Sequence, residues 1–368
     1  MDSNSRMINL LISLLPDNTE IEQTMNQRNP SVDLCRFLGA FSVFIAHGIY
    51  ASKMPALVLM GRWSVPFFFM VSGYYFHKNY IKQVGYAFTK TFKTLLSILL
   101  FANGFYLLFM LLTVGSLTSL ANHFTLIVGT YFHLWFLTSL LLGYLVLWPF
   151  LVCKLESLLP YLSAFVIVII LVINPYHSLF SINAHPIYSR MLLSIPFLCI
   201  GFLIDKYRIE RHVSKWVCYL LIGLGISWQF IEIYFLSITW QNSLTVTLVG
   251  GTVLYAMGMF LLSLKLTIPS NILSQLGCLY SQLLYLYHPF INYFIFQVLL
   301  TTKASPVFFW FSPVWTMGVT LPIFLLMHQV NPKLFRLLSG NFNSLPFRIS
   351  NGCYVLLAKS VGSWFTQN

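Results

Sequence analysis

Ten apolar runs close to bilayer length, near residues 34–51, 56–77, 95–115, 132–153, 158–174, 187–204, 216–238, 244–265, 279–301 and 307–329, leave this chain one kind of solution. A bilayer core needs about 20 mostly apolar residues per helix, and with no water there to satisfy a backbone N–H, only helices or closed barrels span it. The runs predict an all-α, polytopic membrane protein of about ten transmembrane helices. The fifth and sixth are short, and Pro196 interrupts the sixth. Composition points the same way: 58% of residues are hydrophobic, 8% are charged, and mean hydropathy is +0.77. No ordinary soluble domain of 368 residues approaches that.

Lysine and arginine orient the bundle. Placing the N-terminus in the cytoplasm puts sixteen of them on inner segments against Lys53 and Lys303 on outer ones, with Arg36, Arg62 and Arg190 left inside spans. Both termini are then expected to be cytoplasmic, with residues 1–27 as an N-terminal segment, 28–330 as the membrane domain and 331–368 as a tail. Arg6 and the short run Met7 to Leu15 precede Pro16-Asp17 with no small-residue cleavage site, which suits a peripheral segment better than a signal peptide. A net charge of +12 could suggest nucleic acid, but the basic residues sit between apolar runs, so no nucleic acid is expected. The longest inner connection, Phe76 to Thr94, carries Lys78, Lys82, Lys90 and Lys93. These either only fix topology or also attract an anionic ligand or acidic lipid headgroups. Six cysteines show neither CxxC nor zinc spacing, so neither disulfides nor metal are expected.

Ionisable side chains inside apolar runs are the sharper signal. A charge at helix centre costs on the order of 2–3 kcal/mol even on the lenient insertion scale, so such groups usually face a protein interior and mark function. In RNPSVDLCRFLGAFSVFIAHGIY, Arg36 and His47 are eleven residues apart. That is three turns plus roughly 20°, placing both on one helix face about 16 Å apart. Asp33 lies three residues before Arg36 and either orients it or caps the helix start. Arg62 and Ser72 on the second run, His133 and Trp135 opening the fourth, Glu232 on the seventh and His288 on the ninth are further site-lining candidates. Each has a plainer reading. His133 and Arg190 are near enough to water to be edge residues, Glu232 could neutralise an arginine, Trp135 could be an interfacial anchor, and His288 could satisfy a carbonyl freed by Pro289.

No GxSxG, HExxH, Walker or GxGxxG-type motif supports a hydrolase, zincin, NTPase or dinucleotide enzyme. Histidine chemistry remains. A neutral imidazole can take a proton from a hydroxyl while an arginine stabilises developing negative charge, a pairing suited to acyl transfer onto an alcohol. A polar seam through many spans would equally suit a transporter or flippase of a glycan or small organic acid, although no inverted repeat is found.

Several motifs in order carry a resemblance: Asp33-x-x-Arg36 followed by ten residues and His47; Arg62-x-x-Val65-Pro66-Phe67-Phe68-Phe69-x-x-Ser72-Gly73-Tyr74; His133-Leu134-Trp135-Phe136; and Ser281 with Tyr285-Leu286-x-His288-Pro289. Together, over roughly residues 28 to 330, the chain resembles the acyltransferase 3 family of integral membrane O-acyltransferases. The resemblance implies that Arg36 serves the donor side and His47 acts as general base. It also implies that acetyl-CoA or another acyl-CoA is the donor substrate, with no tightly bound cofactor. The implied acceptor is a surface glycan or lipid-linked oligosaccharide, and the implied setting is the lipid of a bacterial inner membrane. Within that frame Arg36 and Arg62 would handle donor phosphate or oxyanion charge, and the four lysines would extend the donor-phosphate site.

Overall fold

The computed structural model describes residues 29–82, 84–114, 123–182, 184–236 and 246–340. The expected segment 1–27 and the tail beyond residue 340 lie outside the described residues. Each of the ten apolar runs contains a helix among the described residues. The principal helices are α1 (Pro30–Ala46), α2 (Pro55–Gly61), α3 (Ser64–Tyr80), α4 (Val84–Val114), α5 (Trp135–Val152), α6 (Leu159–Ile173), α7 (Pro186–Leu192), α8 (Ser194–Lys206), α9 (Lys215–Phe235), α10 (Gly250–Lys265), α11 (Ile272–Thr301), α12 (Ser312–Val330) and α13 (Pro332–Leu338). Among the described residues, eight helical stretches are long and apolar enough to cross a membrane, with α2 joined to α3 and α7 to α8. The remaining two, α1 and α10, are shorter at 17 and 16 residues.

Two boundaries carry physical lessons. The apolar run containing Pro196 divides at Leu193 into α7 and α8, which places the proline in the first turn of α8, where its missing N–H costs nothing. The first run predicts a helix to residue 51, but α1 stops at Ala46, and His47 is its C-terminal cap. The stop is imposed from outside: Ile49 N–H donates to Ser312 Oγ at 2.9 Å, and Gly48 lies so close to Pro313 that a β-carbon there would crowd the ring.

The core is built from close helix pairs, α1 with α11, α3 with α8, and α9 with α10. Gly73 and Gly201 let the backbones of α3 and α8 touch, since a β-carbon at either would overlap a carbonyl of the other helix, Leu198 or Met70. Beyond that crossing His77 Nδ1 meets the fully buried Asp205 carboxylate at 2.7 Å, and Arg208 reaches the same carboxylate at 3.3 Å. Glu232 fastens the α9 and α10 pair. Its carboxylate accepts the N–H groups of Gly250 at 2.9 Å and Gly251 at 3.1 Å, capping α10 where the helix dipole favours an anion. It also accepts the Tyr176 hydroxyl at 2.5 Å. Burial first, and then the carboxylate, push that phenol well above its ordinary pKa, so it stays a donor.

Candidate active site

Three histidines from three distant stretches of sequence meet where α1 ends. The turn that presents His47 is held by α11 and α12: Asn292 Nδ2 donates to the His47 carbonyl at 3.0 Å, and the Thr316 hydroxyl donates to Asn292 Oδ1 at 3.1 Å. The His47 ring stacks on His288 with centroids 5.3 Å apart and leans on Phe132 at 5.1 Å. His133, from the turn before α5, stands edge-on to His288 at 5.7 Å.

Hydrogen bonds to carbonyls orient two of the rings. His288 is buried, and its Nδ1–H donates to the Tyr285 carbonyl at 2.8 Å. That carbonyl sits four residues before Pro289, which has no N–H to offer it, so the histidine does satisfy the proline's orphan. Its Nε2 is left with a lone pair and no partner. His133 Nε2–H donates to the Leu286 carbonyl at 2.8 Å, leaving Nδ1 similarly unpartnered. For His288 the structural and the functional reading are thus compatible, whereas His133, fully buried, is not the water-edge residue of its plainer reading; in both rings one nitrogen anchors the ring and the other is a buried acceptor without a donor. Among the described residues no group of three or more His, Cys, Asp or Glu side chains is placed to hold a metal ion.

On the side nearer the start of α1, a cavity of about 160 Å³ opens between α1, α3, α4, α5 and α11. Arg36, Ser72, Phe136, Ser281, Gln282 and Tyr285 are on its wall. Arg36 donates to Asp33 at 2.8 Å, and the Asp33 side chain is 2% exposed against 15% for the arginine. Asp33 stands in the first turn of α1 and pairs with Arg36, whereas the cap of that helix is Asn29, whose side chain accepts the Ser31 N–H at 2.9 Å, so the orienting reading of Asp33 holds and the capping one does not. Ser72 Oγ donates to the Phe68 carbonyl at 2.9 Å, whereas the buried Ser281 hydroxyl has no partner. Phe136 and Tyr285, both on the cavity wall, have rings 4.7 Å apart, and the Tyr285 ring lies 6.1 Å from those of both His133 and His288.

The other candidates are distributed unevenly. Arg62 caps α2 and donates to the Val246 carbonyl. Trp135 opens α5 and carries the Arg190 guanidinium over its ring at 5.9 Å. Glu232 is occupied by the α10 cap and meets neither the histidines nor the cavity wall. Of the four lysines, Lys78 lies over the Tyr74 ring at 4.4 Å, Lys82, Lys90 and Lys93 are exposed, and none is on the cavity wall. Asn292, which fixes His47, is not among the sequence candidates, and Ser281 and Tyr285, which enter there only as part of a motif, are on the cavity wall. Asn292 was detectable in principle as an amide inside an apolar run, one turn beyond His288.

A family model described as an acyltransferase domain, of the acyltransferase 3 type, matches residues 29–327. No curated protein and no solved structure matches the chain.

Proposed function

The chain belongs to the acyltransferase 3 family and is a multi-pass membrane acyltransferase, and from that premise we propose that it moves an acetyl or related acyl group from acyl-CoA to a hydroxyl of a surface glycan or its lipid-linked precursor. The observation that carries the proposal is the meeting of His47, His133 and His288 beside Tyr285, which shares a cavity wall with Arg36. In the orientation that the lysine bias implies, the Arg36 end faces the cytoplasm of a bacterial cell, where acyl-CoA is made, and the protein sits in the inner membrane.

In this mechanism the acceptor hydroxyl gives its proton to His47 as its oxygen attacks the thioester carbonyl. A C–O bond forms, the tetrahedral intermediate collapses, and the C–S bond breaks. The thiolate leaves with the proton returned by His47, giving an ester and free CoA thiol. Two buried imidazole lone pairs beside His47 favour a hydroxyl-bearing guest, because an unsatisfied buried acceptor costs about 1–3 kcal/mol that an O–H donor recovers. Label transferred from radiolabelled acetyl-CoA to glycan should therefore be released as acetate by mild alkali. Alkali-stable label would indicate an amide and contradict a hydroxyl acceptor.

Arg36 is the donor-side cation, with Ser281 and Gln282 offering polar contacts along the cavity. Lys78, Lys82, Lys90 and Lys93, at the end of α3 and the start of α4, extend the positive field to the CoA phosphates through charge-assisted contacts. Replacing all four by glutamine should raise the KM for acyl-CoA by about tenfold, the size of one or two lost phosphate contacts. An unchanged KM would remove the loop from the donor site. No observation favours a transporter.

A further inference from the structure

Arg190 carries a charge that the mechanism above does not use. Its guanidinium forms neither a hydrogen bond nor an ion pair among the described residues, and it lies against the Trp135 ring at 5.9 Å. Trp135 follows His133 of the histidine cluster by two residues, and Ser189, the neighbour of Arg190, meets the Thr247 hydroxyl at 2.7 Å next to the Val246 carbonyl that Arg62 holds, so Arg190 lies between the cluster and Arg62. The carboxylates among the described residues are Asp33, Glu156, Asp205, Glu210 and Glu232. Asp33, Glu156 and Asp205 pair with Arg36, Lys206 and the His77 and Arg208 pair, and Glu232 is consumed by the α10 cap. Glu210 follows α8 beside Lys265, whose amine donates to its carbonyl, at the opposite helix ends from Arg190.

A half-buried guanidinium without a counter-anion, at the mouth of a reaction centre, is suited to an anion that arrives with the substrate. We infer that Arg190, with Arg62 beside it, holds a negatively charged group of the acceptor, a carboxylate or a phosphate ester, and so orients the neighbouring hydroxyl towards His47. The inference deepens the acyl-transfer reading by naming the charge of the acceptor. Arg190 is absent from the cavity wall on the Arg36 side, so the geometry assigns it to acceptor rather than donor.

The test reads binding and needs no turnover. The full-length protein in lipid nanodiscs, without acyl-CoA, is titrated with methyl glucuronide, glucose 1-phosphate and methyl glucoside, following tryptophan fluorescence, to which Trp135 contributes. The wild type should bind one or both anionic sugars about tenfold or more tightly than the neutral one, the discrimination expected of one charge-assisted contact. The tighter of the two identifies carboxylate or phosphate as the natural group. Arg190→Gln should erase the preference and Arg190→Lys should keep part of it, with thermal stability recorded for both. Equal binding of charged and neutral sugars, no binding of any, or a preference that survives in Arg190→Gln would overturn the inference. So would a preference for succinyl-CoA over acetyl-CoA that Arg190→Gln removes, because that would give the arginine to the donor. If anionic sugars bind as expected but no acyl group is transferred, the acyl-transfer reading fails and the anion site stands.

Discussion

Replacing His47 with alanine should lower kcat for acyl transfer by about 10³-fold, within the range that a positioned general base contributes. The KM for acyl-CoA should change far less, because the ring acts on the acceptor proton and Arg36 serves the donor. Fold disruption would not explain such a loss. The turn around residue 47 is held through its backbone, by Asn292 to the carbonyl and by Ser312 to the Ile49 amide, and neither bond needs the imidazole. Steady-state kinetics on purified protein checks this, with circular dichroism to confirm helix content. A variant retaining more than about a tenth of wild-type kcat would move the base to another residue, with His288 first in line because its Nε2 already lacks a partner.

Gly277→Ala should be nearly as damaging by a different route. A β-carbon there would overlap the Asp33 carbonyl oxygen and crowd the Phe37 amide, and both are backbone atoms that cannot rotate away. Helices α1 and α11 would have to separate at the level of Asp33, one helical turn from Ser281, on the wall that Arg36 shares with Gln282 and Tyr285. Overpacking of a tight interior typically costs about 1–3 kcal/mol, and a shift of about 1 Å in a positioning group can cost about 100-fold in rate. We expect a clear fall in thermal unfolding temperature together with a loss of activity of that order. Gly318→Ala on α12 is the matched control, since a β-carbon there meets nothing within 4 Å, and it should be close to neutral. Equal behaviour of the two variants would mean that the α1 and α11 contact does not position the site.

What could be read from sequence follows from what is local. Run length and hydropathy decide that a segment is a helix in lipid, so every apolar run became one. The three-residue spacing of Asp33 and Arg36 is a helical neighbour relation, so their pairing was legible as well. The end of α1 was not, because Ser312 and Pro313, more than 260 residues away, decide it. In sequence, Glu232 suits a site residue or an arginine's partner. Its actual partners are Tyr176 and the first amides of α10, and no helical or strand period links these. Arg190 looked like an edge residue, because distance from His47 cannot be judged until α5 and α7 are packed. His288 shows that a structural and a chemical role need not compete, since one ring nitrogen can serve Tyr285 while the other stays free.

The most direct measurement is transfer of label from radiolabelled acetyl-CoA to surface glycan by membranes carrying the wild type, Arg36→Ala or His47→Ala at matched protein levels. The expected result is label with the wild type and its loss in both variants, which would place acyl transfer on the helix that joins Arg36 to His47. Label that persists undiminished in both variants would contradict that placement, and no label even with the wild type would contradict acetyl-CoA as the donor.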